Sequence, residues 1–148
     1  MKRNLILILT GILLLSACST GEGIEPHEAW VRNAKQGENG AVYMILHNHT
    51  KIDDALLSVS TDVANAVELH LTEVTNDVMQ MSPLESIEIP ADAEIEFKSG
   101  GHHIMLVDLK KDLNVGDEIT ITLHFENYQD VIVTVPVKES AEEEHHHP

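Results

Sequence analysis

The feature that most constrains this chain is a succession of short runs in which apolar and polar residues alternate. The run AVELHLTEV at 66–74, for example, places apolar and polar side chains on opposite faces of a strand. Breakers rich in Gly, Pro, Asn and Asp separate the runs, and the period is two rather than the 3.6 of a helix. Many short alternating strands at regular spacing predict one all-β domain, a sandwich or a barrel. The predicted strands cover residues 27–32, 41–48, 54–61, 66–74, 78–84, 93–98, 102–109, 117–126 and 130–137.

The first residues have the organisation of a secretory signal rather than of a folded domain. A basic start at Lys2 and Arg3 precedes an apolar run that ends in LSAC at 15–18. This tetrapeptide matches the lipobox of bacterial lipoproteins, which implies cleavage before Cys18 and lipidation of its thiol. The lipid would anchor the protein outside the cytoplasm, in the periplasm or on the outer face of the cell membrane. We expect a signal peptide at 1–17, the lipidated cysteine and a tether at 18–24, a single folded domain at 25–138, and a disordered acidic, histidine-rich tail at 139–148.

Composition argues against several classes of function. Cys18 is the single cysteine of the sequence, so a lipidated mature domain has no thiol for a disulfide, a cysteine-based zinc site or redox chemistry. The formal net charge of −16 argues against nucleic acid as a partner, because nucleic acid binding needs a basic surface. The sequence contains no nucleophile elbow, zinc-protease motif or glycine-rich phosphate loop. No catalytic constellation stands out in the sequence.

A set of histidines and methionines is spread over three of the predicted strands. His70 lies on the polar face of one strand, Met79 and Met81 share a side of the next, and His103 and Met105 share a side of a third. A two-residue loop at 76–77 would bring His70 onto the same face as the two methionines. A three-residue loop at 75–77 would put His70 on the opposite face. The sequence alone leaves both loops open.

Two imidazoles and two thioethers form a soft, uncharged donor set. Calcium and magnesium prefer oxygen ligands, and structural zinc prefers thiolate, imidazole or carboxylate, so this set is best suited to Cu(I). Methionine also suits an oxidising compartment, because it cannot be lost to disulfide formation. The structural alternative is that the methionines fill gaps in the core and the histidines are simply exposed.

The sequence resembles the PCuAC-type copper chaperones, small periplasmic or extracellular proteins that bind Cu(I). Their pattern is His, ten residues, Met, twenty-one residues, His, one residue, Met, and both spacings fit His70, Met81, His103 and Met105. The segments GAVYMILHN at 40–48 and GGHHIMLVDLKKDLNVGDEITITLHFE at 100–126 also resemble the family. The resemblance implies a cupredoxin-like Greek-key β-sandwich in which these four residues bind one Cu(I).

The resemblance also distinguishes neighbouring candidates and suggests a destination for the metal. It selects Met81 rather than Met79 and His103 rather than His102, which alternates to the other side of its strand. The implied acceptor is the copper centre of a haem-copper oxidase, or another copper chaperone. Because such a transfer makes and breaks no bond in a substrate, we predict that the protein is not an enzyme. A copper-sequestering or resistance lipoprotein without a delivery role would need the same site. Electron transfer is disfavoured, because a blue-copper site requires a cysteine thiolate. The remaining interpretation is a structural β-sandwich that binds no metal.

Two further groups of histidines lie outside this motif. His145, His146 and His147 follow three glutamates in the tail and form a tract suited to a divalent ion such as Cu(II) or Zn(II). His47 and His49 flank a strand end, and their spacing lets both point to one side. No third donor is evident beside them, so we predict that these two are surface residues.

Overall fold

The computed structural model describes residues 22–139, and this part of the chain forms ten β-strands. Within this range, no helix has the length and apolar character needed to cross a membrane. Cys18 and the three tail histidines His145, His146 and His147 lie outside the described residues. The strands are β1 (Ile24–Arg32), β2 (Gly40–Asn48), β3 (Asp54–Ser60), β4 (Ala64–Thr75), β5 (Val78–Leu84), β6 (Ile87–Ile89), β7 (Glu94–Phe97), β8 (His102–Leu109), β9 (Glu118–Phe125) and β10 (Val131–Lys138).

Hydrogen bonds join the strands in the order β5-β4-β8-β7-β2-β1-β10-β9-β3-β6. The parallel pairing of β1 with β10 covers Val31 with Val137 and Arg32 with Lys138, and this short contact joins a six-stranded half (β5 to β1) to a four-stranded half (β10 to β6). The chain passes from one half to the other after β2, β3, β5, β6 and β8. Such crossings are typical of Greek-key sandwiches, and the predicted all-β sandwich is confirmed.

The two halves enclose one apolar core, because each strand turns one set of alternating side chains inward. Completely buried residues come from both halves, among them Leu46, Ile104 and Leu106 from one and Leu56, Ile121 and Leu123 from the other. The intervening residues of β4 and β8 consequently lie on the outer face of the six-stranded half. Every residue of the predicted His/Met set is on β4, β5 or β8.

One buried carboxylate holds the end of β9 against the start of β3. Asp54 accepts hydrogen bonds from the backbone N–H groups of Ala55 at 2.7 Å, Asn127 at 3.1 Å and Tyr128 at 2.8 Å. Asp54 is buried, and a buried carboxylate is stable when it accepts several such bonds. The side chain therefore fixes the loop that follows β9.

Two elements differ from the sequence-based expectation. β6 was not predicted as a strand, since three residues are too few to display an alternating pattern, and its pairing with β3 defines it instead. β1 begins at Ile24, one residue before the predicted start of the domain, and the Ile24 side chain is buried in the core.

Candidate metal centre

The turn between β4 and β5 decides which side chains share the outer face. Asn76 and Asp77 form a two-residue loop and have φ angles of 53° and 62°. Positive φ at both central positions is the geometry of a type I′ hairpin turn, and Asn and Asp tolerate it better than most residues. Of the two loops that the sequence left open, the two-residue loop is therefore the one that forms, and it pairs Thr72 with Met81.

The register between β4 and β8 brings the two histidines of the motif together. His70 lies directly opposite His103, and Glu68 lies opposite Met105. The centroids of the two imidazole rings are 5.6 Å apart, close enough for one ion to be bound by both rings, since metal–nitrogen bonds are about 2 Å long. Met81 lies on the neighbouring strand β5, diagonal to His70 on the same face.

A surface cavity of about 220 Å³ opens over these strands. Met79, Met81, His103 and Met105 are among its lining residues, and His70 lies next to it against the ring of His103. Met81 is 51% exposed, whereas His70 and His103 are only 8% and 4% exposed. The thioethers are thus nearer to solvent and the imidazoles lie beneath them.

The hydrogen bond of His70 leaves one ring nitrogen unused. Its Nε2 is 2.7 Å from the Glu68 Oε2, and because a carboxylate can only accept, Nε2 carries the proton in the neutral ring. Nδ1 then has the lone pair, and this atom is buried and has no hydrogen-bond partner within residues 22–139. A buried acceptor without a partner costs about 1–3 kcal/mol, and a metal ion bound at Nδ1 would offset this cost.

The glycine turn before β8 orients His103 in the same way. Gly100 has a φ of 77°, which glycine adopts without strain. The Gly101 carbonyl accepts hydrogen bonds from the backbone N–H of Thr72 on β4 at 3.0 Å and from the His103 Nδ1 on β8 at 3.1 Å. The lone pair of His103 is therefore on Nε2. Each histidine of the motif has its tautomer fixed by a neighbouring oxygen, as is usual for metal-binding histidines.

The two neighbouring candidates occupy different positions. His102 pairs with Leu71 on the core side of the strands, and its ring centroid is 6.2 Å from that of Phe97. Burial lowers the pKa of His102, and the nearby His103 adds to this effect, while the Glu73 carboxylate opposes it. Met79 also lines the cavity, but it lies nearer the tip of the hairpin and is 69% exposed.

The sequence matches the family described as "Putative lipoprotein LpqE-like" over residues 24–137, which includes every strand except the last residue of β10. The chain belongs to the LpqE-like family. Two other proteins are similar to this LpqE-like chain. "Putative lipoprotein Lxx21020" of Leifsonia xyli subsp. xyli is 32% identical over 119 residues, 80% of this chain and 71% of the relative. "Uncharacterized protein RP573" of Rickettsia prowazekii is 36% identical over 100 residues, 67% of this chain and 55% of the relative.

Two solved structures similar to the LpqE-like chain are described as containing copper. The copper-bound PCuAC domain from PmoF2 has a TM-score of 0.67 and 26% identity, and the match covers 78% of this chain and 92% of that domain. The solution structure of Cu(I)-DR1885 from Deinococcus radiodurans has a TM-score of 0.61 and 25% identity, with 83% and 85% covered. These matches confirm the resemblance to PCuAC-type proteins and agree with the prediction of a metal-binding protein rather than an enzyme.

The structure thus brings together all four side chains that the spacing selected, on one face of three adjacent strands. Glu68 and the Gly101 carbonyl orient the two histidines, and neither role was predicted from the sequence. Glu68 and His70 are two residues apart on a predicted strand, and this spacing could have indicated the contact between them. Nothing in the sequence pointed to the role of the Gly101 carbonyl, because it depends on the path of the glycine turn.

Proposed function

We propose that this LpqE-like protein is a lipid-anchored, extracytoplasmic copper chaperone that binds one Cu(I) through His70, Met81, His103 and Met105. The observation that carries the proposal is the buried Nδ1 of His70, which has no hydrogen-bond partner among the described residues; His70 as a whole is 8% exposed. It lies beside His103, whose tautomer places a lone pair on Nε2. Two thioethers on the same face complete a soft, neutral donor set, which suits Cu(I). The similarity to copper-bound PCuAC domains supports the choice of metal.

The proposed ligands also differ in their exposure to solvent, which favours transfer of the metal to an acceptor. Met81 is half exposed, while His70 and His103 are buried. An acceptor would reach the ion from the Met81 side. It would displace the weak thioether ligands first and the imidazoles last. Neutral ligands lose no net charge on exchange, so each step would cost little. The metal is the cargo of this process, and the protein makes and breaks no bond in a substrate.

The proposed destination is a copper-accepting subunit of a haem-copper oxidase in the membrane, or another copper chaperone. The lipid anchor at Cys18 would hold the domain at the membrane surface, near such an acceptor. The match to a family described as lipoproteins, and to a relative described in the same way, supports the anchor. The competing proposal is a copper-sequestering lipoprotein, in which the same site would retain the metal.

A Cu(I) titration against a chromophoric competing chelator tests the site. The full chain should carry His145→Ala, His146→Ala and His147→Ala, so that the tail contributes nothing. We expect one bound Cu(I), and we expect Met81→Ala with Met105→Ala to weaken binding by more than the roughly 10- to 100-fold typical of changes outside the ligand shell. Met79→Ala is the matched control, because it removes a neighbouring thioether from the same cavity. It should weaken Cu(I) binding much less, since Met79 is not one of the four proposed ligands. Unchanged binding in the double variant would refute the site.

A transfer experiment separates delivery from sequestration. The Cu(I)-loaded chain is mixed with the metal-free copper-binding domain of a haem-copper oxidase, and the copper content of each protein is measured after separation. A chaperone should pass its copper to the domain within minutes. This transfer should be faster than the dissociation of Cu(I) from the diluted chain when the domain is absent. A chain that keeps its copper while the same domain accepts Cu(I) from a small-molecule complex would favour sequestration.

A further inference from the structure

A second group of metal-binding side chains lies on the same outer face as the proposed Cu(I) site, but at the other end of the six-stranded half. The sequence analysis treated His47 and His49 as surface residues because no third donor was evident. The structure supplies that donor, His27 of β1. One ring nitrogen from each of these three histidines lies within 4.8 Å of those of the other two.

The pairing of β1 with β2 creates this group. Glu25 pairs with His47 and His27 pairs with Ile45, so the side chains of Glu25, His27 and His47 all point to the same face. The register shifts immediately after His27, where Glu28 adopts a φ of 51°. Such bulges redirect side chains and are frequent next to binding sites. Glu28 is thus a non-glycine residue in a strained conformation, directly after His27.

The loop that carries His49 is held firmly in place. The backbone N–H of His49 donates to the Gly23 carbonyl at 2.8 Å. The preceding residue, Asn48, is completely buried and donates through its amide to the carbonyls of Ile52 and Ile89, while its oxygen accepts two hydrogen bonds from Thr50. All the hydrogen-bonding capacity of Asn48 is therefore used. The result is a preorganised position for His49, whose ring stacks on His47 with centroids 3.8 Å apart.

Two carboxylates lie just outside the three rings. The Glu25 Oε2 is 3.8 Å from the His27 Nε2 and 3.6 Å from the His49 Nε2, and the Glu94 Oε2 is 3.9 Å from the His47 Nδ1. These distances are longer than ordinary hydrogen bonds, so the carboxylates have room to shift towards a metal ion or towards its imidazole ligands. Their charges also favour the approach of a cation.

We propose that His27, His47 and His49 form a second metal site, specific for a borderline divalent ion, Zn(II) or Cu(II). Three imidazoles with a nearby carboxylate match the ligands of such ions, and the fourth position would be filled by Glu25 or by water. The donor set differs from the proposed Cu(I) site, which relies on thioethers. The two sites are also separate, because His47 is six residues along β2 from Ala41, the partner of Met105, or about 20 Å at roughly 3.4 Å per residue.

Calorimetric titration with Zn(II), and separately with Cu(II), tests this proposal in the full chain that carries the three tail substitutions. We expect one equivalent of Zn(II), lost in the variant His27→Ala with His47→Ala and His49→Ala. The matched control, His70→Ala with His103→Ala, removes the proposed Cu(I) ligands and should retain that equivalent. The failure of this inference is thus distinguishable from the failure of the copper-chaperone proposal. Urea unfolding of both variants verifies that each is folded.

A second variant makes the result independent of the triple substitution. Glu25→Gln leaves all three imidazoles in place, and we expect it to weaken Zn(II) binding by about 10- to 100-fold. With Cu(II), the electron paramagnetic resonance spectrum of the parent should show coupling to histidine nitrogens, and that signal should disappear in the triple histidine variant. Zn(II) binding of equal affinity in that variant, or its loss in the His70 and His103 control, would overturn the proposal. So would a parent chain that binds no Zn(II) more tightly than millimolar.

Discussion

Replacement of Glu68 by alanine should weaken Cu(I) binding without touching any proposed ligand. The Glu68 carboxylate accepts a 2.7 Å hydrogen bond from the His70 Nε2, and this contact keeps the lone pair on the buried Nδ1. Loss of such an orienting partner typically costs 10- to 100-fold in metal affinity, or about 1.4–2.8 kcal/mol. Because the Glu68 side chain is 50% exposed, solvent screens part of the interaction, and we expect an increase in Kd of about tenfold.

The assay is the Cu(I) competition titration at constant pH and ionic strength, with two matched variants. Glu68→Gln keeps an oxygen that can accept from His70 and should have a smaller effect than Glu68→Ala. Glu73→Ala removes the same charge from the same strand, but residue 73 alternates to the opposite face. An equal loss of affinity for the Glu68 and Glu73 alanine variants would show that general electrostatics, and not orientation of His70, determines the effect. Unchanged affinity in Glu68→Ala would refute the reasoning.

The remaining predictions concern stability, and urea unfolding measures all of them. Asp54→Ala removes the acceptor of three backbone N–H groups and should lower the free energy of unfolding by about 3 kcal/mol, with Asp54→Asn less severe because an amide oxygen still accepts. Asn48→Ala leaves the buried Ile89 carbonyl without its donor and should cost about 1–3 kcal/mol. Asp77→Gly should instead stabilise the chain by about 0.5–1 kcal/mol, since glycine adopts the φ of 62° without strain. Asp54 and Asn48 variants as stable as the parent, or a destabilised Asp77→Gly, would contradict these assignments.

Much of the architecture could be predicted because it depends on local alternation. The apolar residues at every second position of β4 and β8 identify the core face, and the breakers identify most of the strand ends. β6 was missed because three residues carry too little pattern, and its pairing with β3 in the four-stranded half joins residues that are distant in sequence. The two-residue turn at Asn76 and Asp77 could be proposed but not chosen, since its geometry is fixed by the register of the strands it joins.

The candidate sites could be predicted to different degrees, because strand register brings together residues that are distant in sequence. His70, Met81, His103 and Met105 could be selected through the family spacing, although the direct opposition of His70 and His103 is a non-local pairing that alternation does not reveal. His27 could not be linked to His47 and His49, because their proximity depends on the β1–β2 register and on the bulge at Glu28. Alternation predicts the side to which a residue points, and register decides which residue it meets.

We propose that two histidines and two methionines bind one Cu(I) on the outer face of β4, β5 and β8. X-ray absorption spectroscopy at the copper edge reports the ligand atoms directly, and the sample is the full chain with the three tail substitutions, loaded with one equivalent of Cu(I). We expect a first shell of two nitrogen and two sulfur atoms, with one sulfur lost in Met81→Ala and none lost in Met79→Ala. A shell of nitrogen or oxygen atoms alone, or a sulfur contribution that Met81→Ala leaves unchanged, would contradict it.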